Sequence, residues 1–164
     1  MSRLSQRGLA AIAACLALSV TLSAVPGDMA MYVGGTISGL KEKTEGKLST
    51  SSSTVMTFQA KYEAPVSIPY KSITSLEYGQ KAGRRVGVAI LVSPLALFSK
   101  KRNHYLTVTY KDGQAEQAAV FELGKDIVRT TLTVLQVRTG KDVEYQDVEA
   151  CKQFRTAKEC EPSK

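Results

Sequence analysis

HYLTVTYKDGQAEQAAVFELGKDIVRTTLTVLQVRTG, residues 104–140, changes its hydrophobic period once, and that change decides the fold class. From His104 to Lys111, Leu106, Val108 and Tyr110 alternate with Tyr105, Thr107 and Thr109. This is the period of two that a strand imposes, because successive side chains leave opposite faces. Asp112-Gly113 supplies a hairpin turn, and residues 115–123 return as the partner strand before Gly124. After Asp126 the spacing becomes helical. Ile127, Val128, Thr131, Leu132 and Leu135 fall on one face, while Arg129, Thr130, Thr133, Gln136 and Arg138 fall mostly on the other. Asp126 suits the N-terminus of this helix, Arg138 its C-terminus and Gly140 its stop. So many β-branched residues make a weak helix in isolation, so its apolar face must dock on a sheet.

Upstream of this stretch the chain reads as further short strands. Residues 31–37 form the first, with Gly34 and Gly35 favouring a bulge. Residues 38–46 read as a solvated loop. Lys41 and Lys43 of the loop and Lys47 just after it are interspersed with Glu42 and Glu45, whereas a phosphate-binding loop would want them without acids beside them. Residues 47–60 read as two strands around a turn at Ser51, Ser52 and Ser53. Residues 66–70 make an edge strand, because Pro69 removes a ladder donor. Residues 72–78 make the next, with a bulge expected near Thr74 because Ile73, Leu76 and Tyr78 do not alternate cleanly. The expected fold is mainly β, a barrel or sandwich of about seven antiparallel strands closed by one C-terminal α-helix at about residues 126–139. A length of 164 residues allows one domain with extensions.

The termini point to a compartment. Arg3 and Arg7, an apolar run over residues 8–20, and small Ser23 and Ala24 have the order of an export signal over residues 1–24, followed by a short leader at 25–30. The alternative is a lipobox at residues 12–15, which would make Cys15 an acylated anchor. Loss of Arg3 and Arg7 lowers the formal net charge from +7 to +5. In an exported protein, basic character points to anionic lipid, cell-wall polymer or acidic protein, and sets nucleic acid aside. Cys151 and Cys160 remain as an even pair in an oxidising compartment and are expected to form a disulfide in the charged tail, residues 141–164.

One stretch does not look like routine domain building. Residues 86–98 carry no charge and include Leu91, Leu95, Leu97 and Phe98, flanked by Arg84 and Arg85 on one side and Lys100, Lys101 and Arg102 on the other. Thirteen residues are too few to cross a bilayer core, which needs roughly 20. The segment is therefore a buried hairpin, a membrane-touching loop or a partner-binding surface. Glycines at 79, 83 and 87 recur every four residues, but with Pro94 they fit a bent hairpin as well as a helix.

The strand order together with Gly46-Lys47-Leu48, Ile68-Pro69-Tyr70-Lys71-Ser72-Ile73, Leu76-Glu77 and the closing hairpin before the helix resembles the bacterial PH-like and GRAM-like families over about residues 31–140. That resemblance implies a pleckstrin-homology-like barrel acting as a platform, whose loops bind phospholipid head groups, peptides or proteins. The chain departs from the pattern in having no tryptophan and no phosphoinositide-type basic loop around residues 41–47.

Catalytic signatures are absent from the sequence. There is no G-x-S-x-G, phosphate loop or H-E-x-x-H, and the single histidine, His104, reads as a surface strand residue rather than a base. No metal, cofactor or small-molecule substrate is implied. The expectation is a non-enzymatic exported binding module. It would meet an anionic membrane surface through residues 84–102 or, alternatively, engage a protein partner with that segment buried. A carrier of a hydrophobic ligand is a third reading, which would require an internal cavity.

Overall fold

A computed structural model describes residues 29–80 and 103–160. The expected export signal, Cys15 and the basic-flanked insertion lie outside them. The described strands are β1 (Ala30–Gly35), β2 (Thr44–Ser49), β3 (Val55–Ala60), β4 (Val66–Pro69), β5 (Ile73–Gly79), β6 (His104–Asp112), β7 (Ala115–Leu123) and β8 (Val143–Tyr145). Two helices, α1 (Val128–Thr139) and α2 (Val148–Lys152), lie on either side of β8 in the chain, and one-turn 3₁₀ helices occupy Tyr70–Ser72 and Ala157–Cys160. The strands form one sheet in the order β4-β3-β2-β1-β7-β6-β5-β8.

That sheet has to curl. Strands β4 and β5 stand six places apart in the order, about 29 Å in a flat sheet at roughly 4.8 Å per strand. Yet only Tyr70–Ser72 connect them, and four Cα steps of about 3.8 Å reach about 15 Å at most. The two ends are therefore drawn together around one interior. The Phe58 ring on β3 lies 5.2 Å from that of Phe121 on β7, three strand places away, and Tyr32 on β1 lies 5.9 Å from Phe121. Ile68, Leu76, Tyr78, Leu106, Val108 and Ala119 fill the same interior. The result is mainly β, a half-barrel with a C-terminal helix, compatible with a PH-like barrel.

Local chemistry places the bends. Register slips between Tyr32 and Gly34, where the glycine pair stands, and again between Ile73 and Ser75, as the broken alternation predicts. At Gly35 φ is +141°, and an added Cβ would come within 2.2 Å of the Ala118 carbonyl oxygen, so a side chain is excluded twice over. Pro69 ends β4 on the edge of the sheet, where its missing donor costs no ladder bond. The β6–β7 hairpin pairs Asp112 with Ala115, and Gly113 takes the left-handed conformation at φ +60°.

Helix α1 buries Val128, Thr131, Leu132 and Leu135 in the barrel interior, with Ile127 half-buried beside them. Gly140 ends it in the left-handed region and donates its N–H to the Gln136 carbonyl. Asp126 does not cap it. The N-cap position is Ile127, with no side-chain cap. At its other end the Arg138 guanidinium donates to the Ser52 carbonyl and lies over the Tyr70 ring at 5.6 Å, which ties the helix to the β2–β3 turn and to the β4–β5 link.

Two expectations need correction. Strand β2 begins at Thr44, so the last three residues of the expected loop 38–46 are ladder, paired to β1. The sheet has an eighth strand that is parallel: β8 joins the outer edge of β5, Leu76 opposite Val143. Hence the charged tail is not merely peripheral. Its Val143 and Ala150 enter the core, because one apolar residue per turn or strand suffices once the edge of β5 supplies backbone partners. Both faces of β6 are buried, not only the row Leu106 and Val108. Tyr105, Thr107 and Thr109 are 3%, 5% and 8% exposed.

Because Phe121 is wholly buried and touches rings from two other strands, Phe121→Ala is expected to cost about 3–5 kcal/mol of unfolding free energy. Urea denaturation followed by circular dichroism measures it.

Candidate functional site

The insertion leaves and rejoins the sheet at one point. Strands β5 and β6 pair antiparallel up to Gly79 opposite Tyr105, so the residues between them begin and end side by side. Arg84, Arg85, Leu91, Leu95, Leu97, Phe98, Lys100, Lys101 and Arg102, the expected contact residues, lie outside the described residues. What the structure defines is the base on which they stand.

That base is a half-buried polar and aromatic cluster around the buried Tyr78. The Tyr78 hydroxyl lies 2.6 Å from Nδ1 of His104 and 3.1 Å from Oε1 of Gln153. With one proton to give, the hydroxyl donates to the glutamine oxygen and accepts from His104 Nδ1–H, which sets the tautomer of the neutral ring. Around Tyr78, Phe154 meets its ring edge-on at 4.9 Å and Tyr145 at 6.1 Å. Arg129 covers Phe154 at 5.4 Å and Arg155 covers Tyr145 at 5.6 Å. Gln146 packs where a Cβ on Gly79 would stand, and its N–H donates to the Tyr78 carbonyl at 2.9 Å. The disulfide joins Cys151 to Cys160, with the Cα atoms 5.7 Å apart and an S–S distance of 1.99 Å. Asp147 caps α2 by accepting from the Ala150 N–H. The tail is thus fastened beneath the neck of the insertion.

Burial leaves both groups at the centre of this cluster uncharged. Burial, with smaller contributions from Tyr145 and Asp147, pushes the Tyr78 hydroxyl well above the ordinary phenol range, so it is neutral at physiological pH. Burial also lowers His104, holding it neutral. The neutral phenol, hydrogen-bonded to His104 and to Gln153, joins β5, β6 and the tail at the neck. The sequence reading of His104 as a surface residue misses this, because its partner Tyr78 is 26 positions away across the insertion. A hairpin register drawn through that insertion is the signal that would have brought the two together.

A second concavity, of about 340 Å³, lies between the end of β2 and the first turn of α1. Lys47, Ser49, Ser51, Asp126, Thr130 and Thr131 are among its lining. Lys47 and Asp126 oppose each other in sign, so the groove carries no excess charge. Among the described residues no group of three or more His, Cys, Asp or Glu could hold a metal ion, and no helix is long and apolar enough to cross a membrane.

No protein-family model matches the chain, and comparison with curated proteins gives no match. The resemblance to the bacterial PH-like and GRAM-like families therefore rests on the residues quoted above. Among solved structures the chain is similar to the Spt16D Pob3N heterodimer at 5% identity, over 71% of this chain and 52% of that one, with a TM-score of 0.41. The chain spans about half the length of that structure's chain. A likeness at this level says nothing about what the chain binds.

His104 gives the cluster a pH signature. Its folded pKa lies below its ordinary value of 6.5, so below about pH 6.5 the unfolded chain binds a proton that the folded chain refuses. Stability contributed by the neutral ring is therefore complete above about pH 6.5 and is lost as pH falls through the folded pKa. Urea midpoints taken between about pH 7 and 5.5 are expected to fall, and His104→Gln, which cannot titrate, is expected to flatten that slope.

Proposed function

We propose that the chain is a non-enzymatic, exported PH-like binding module that associates with an anionic membrane surface through the basic-flanked segment 84–102. The observation that supports this reading is the pairing of Gly79 with Tyr105. Arg84 and Arg85 lie within six positions of Gly79, and Lys100, Lys101 and Arg102 within five of Tyr105. At roughly 3.5 Å per residue, all five cations stay within about 21 Å of one point on the barrel rim. Each cation near an anionic bilayer contributes about 1 kcal/mol, and the sum is screened by salt.

Leu91, Leu95, Leu97 and Phe98 either enter the interface with those cations or pack on the fold. The second form, with a protein partner as the alternative target of the cations, is favoured by the buried row Tyr105, Thr107 and Thr109 on the outer wall of β6.

Co-sedimentation of the mature chain with phosphatidylglycerol-containing vesicles is expected at low salt, to weaken at high salt, and to be missing with pure phosphatidylcholine. Replacing Arg84, Arg85, Lys100, Lys101 and Arg102 by Gln is expected to abolish it. If the native chain ignores anionic vesicles at low salt, the membrane reading is wrong and a protein partner takes its place.

A further inference from the structure

The groove of about 340 Å³ between the end of β2 and the start of α1 holds polar groups that the fold leaves without partners. Lys47 on β2 and Asp126 just ahead of α1 line it with opposite charges, yet they do not meet. The ion pairs among the described residues are Lys152–Glu149 and Arg155–Asp142. Backbone donors are spare at the same place. The first rung of α1 runs from the Thr131 N–H to the Ile127 carbonyl at 2.9 Å, so the N–H groups of Val128, Arg129 and Thr130 precede the ladder. Ile127, the N-cap, offers no side-chain acceptor, and the first turn carries no acid. Thr131 distinguishes this place from a bare helix end. It is 4% exposed and lines the groove, and its hydroxyl makes no hydrogen bond among the described residues. Glu63 Oε2 is the one fully enclosed side-chain oxygen among them that lacks a partner, so the Thr131 hydroxyl is open, and the groove is the space onto which it opens. A helical threonine can return its hydroxyl to the carbonyl four residues back, as Thr139 does to Leu135 at 2.7 Å. Thr131 does not.

We propose that this groove binds a small zwitterion, a free amino acid with an apolar side chain. Its carboxylate is held by the free N–H groups of α1 and by Lys47, with the Thr131 hydroxyl as a further donor. Its ammonium answers Asp126, which would oppose an anion that carried no positive charge of its own. Leu48 and Ile127, both half-buried, line the same groove and supply the apolar surface for the side chain. The charges of Lys47 and Asp126 cancel, as do those of the ligand, so neither partner is left with an unanswered charge. At about 340 Å³ the groove is at the small end of ligand pockets, which run roughly 300–1,000 Å³, a size for one amino acid rather than a folded partner. The site uses no residue of 84–102, so it stands apart from the membrane reading.

The test is an amide NMR titration of the full chain, without lipid, against L-alanine and L-leucine. Parallel titrations use the two halves of leucine, 4-methylpentanoate and 3-methylbutylamine, and inorganic phosphate. An amino acid is expected to shift the amide signals of Val128, Arg129 and Thr130 saturably. Each half is expected to bind on the order of tenfold more weakly than leucine, because it leaves one charge of the groove unanswered. No saturable shift with either amino acid at millimolar concentration would overturn the proposal. So would 4-methylpentanoate or phosphate binding as tightly as leucine, which would make the groove a plain anion site. Thr131→Val keeps the shape and removes an unpartnered hydroxyl, so the urea midpoint is expected to hold or rise while leucine affinity falls about fivefold. Lys47→Gln alters an exposed side chain and is expected to weaken leucine about tenfold with the urea midpoint unmoved. Unchanged leucine affinity in either folded variant would also overturn the proposal.

Discussion

Three residues, Tyr70–Ser72, hold together two strands that the hydrogen-bond order of the sheet places at nearly opposite ends. Everything else in the fold follows from that short link. A flat sheet would put β4 and β5 beyond its reach, so the sheet curls, and curling points the alternate residues of seven strands at one interior. The ring of Phe58 on β3 then meets that of Phe121 on β7, three places away, beside Tyr32 on β1. The half-barrel remains open along one side, and α1 lays its apolar face into the opening. Arg138 fastens the helix to Tyr70 of the link itself and to the Ser52 carbonyl. A helix rich in β-branched residues, weak by intrinsic propensity, is stabilised here by the packing the curl creates.

The rim at Gly79 and Tyr105 is the other point where the structure concentrates its specificity. Below it, Tyr78 meets His104, Gln153, Tyr145 and Phe154, and the disulfide of the tail stands close by in sequence. Buried hydrogen bonds of this kind are costly to leave half-made, so a satisfied set holds its surroundings in one arrangement.

Sidedness is what separates this sheet from a simple meander. Antiparallel sheets commonly solvate one face, and the alternation of Thr107 and Thr109 with Leu106 and Val108 reads as that arrangement. Threonine and tyrosine are ambiguous at this point, since both tolerate burial when their polar atoms are partnered and both suit strands. The tertiary structure shows the row Tyr105, Thr107 and Thr109 buried together with Val120 and Val33 of the adjoining strands.

By itself the sequence determined the elements with a clean period or a steric signal. These are the β6–β7 hairpin with its glycine turn, the buried face and glycine stop of α1, the bulges beside Gly34 and Thr74, the edge position of Pro69 and the pairing of Cys151 with Cys160. Each is a local property, decided within a few residues by side-chain spacing, by φ or by the missing proline N–H. Tertiary structure alone decided the curl, the parallel β8 on the edge of β5, the join between Tyr78 and His104, and the burial of the outer wall. Each of those depends on residues tens of positions apart meeting in space. A periodicity shows which side chains share a face, but it carries no information about what lies across from that face.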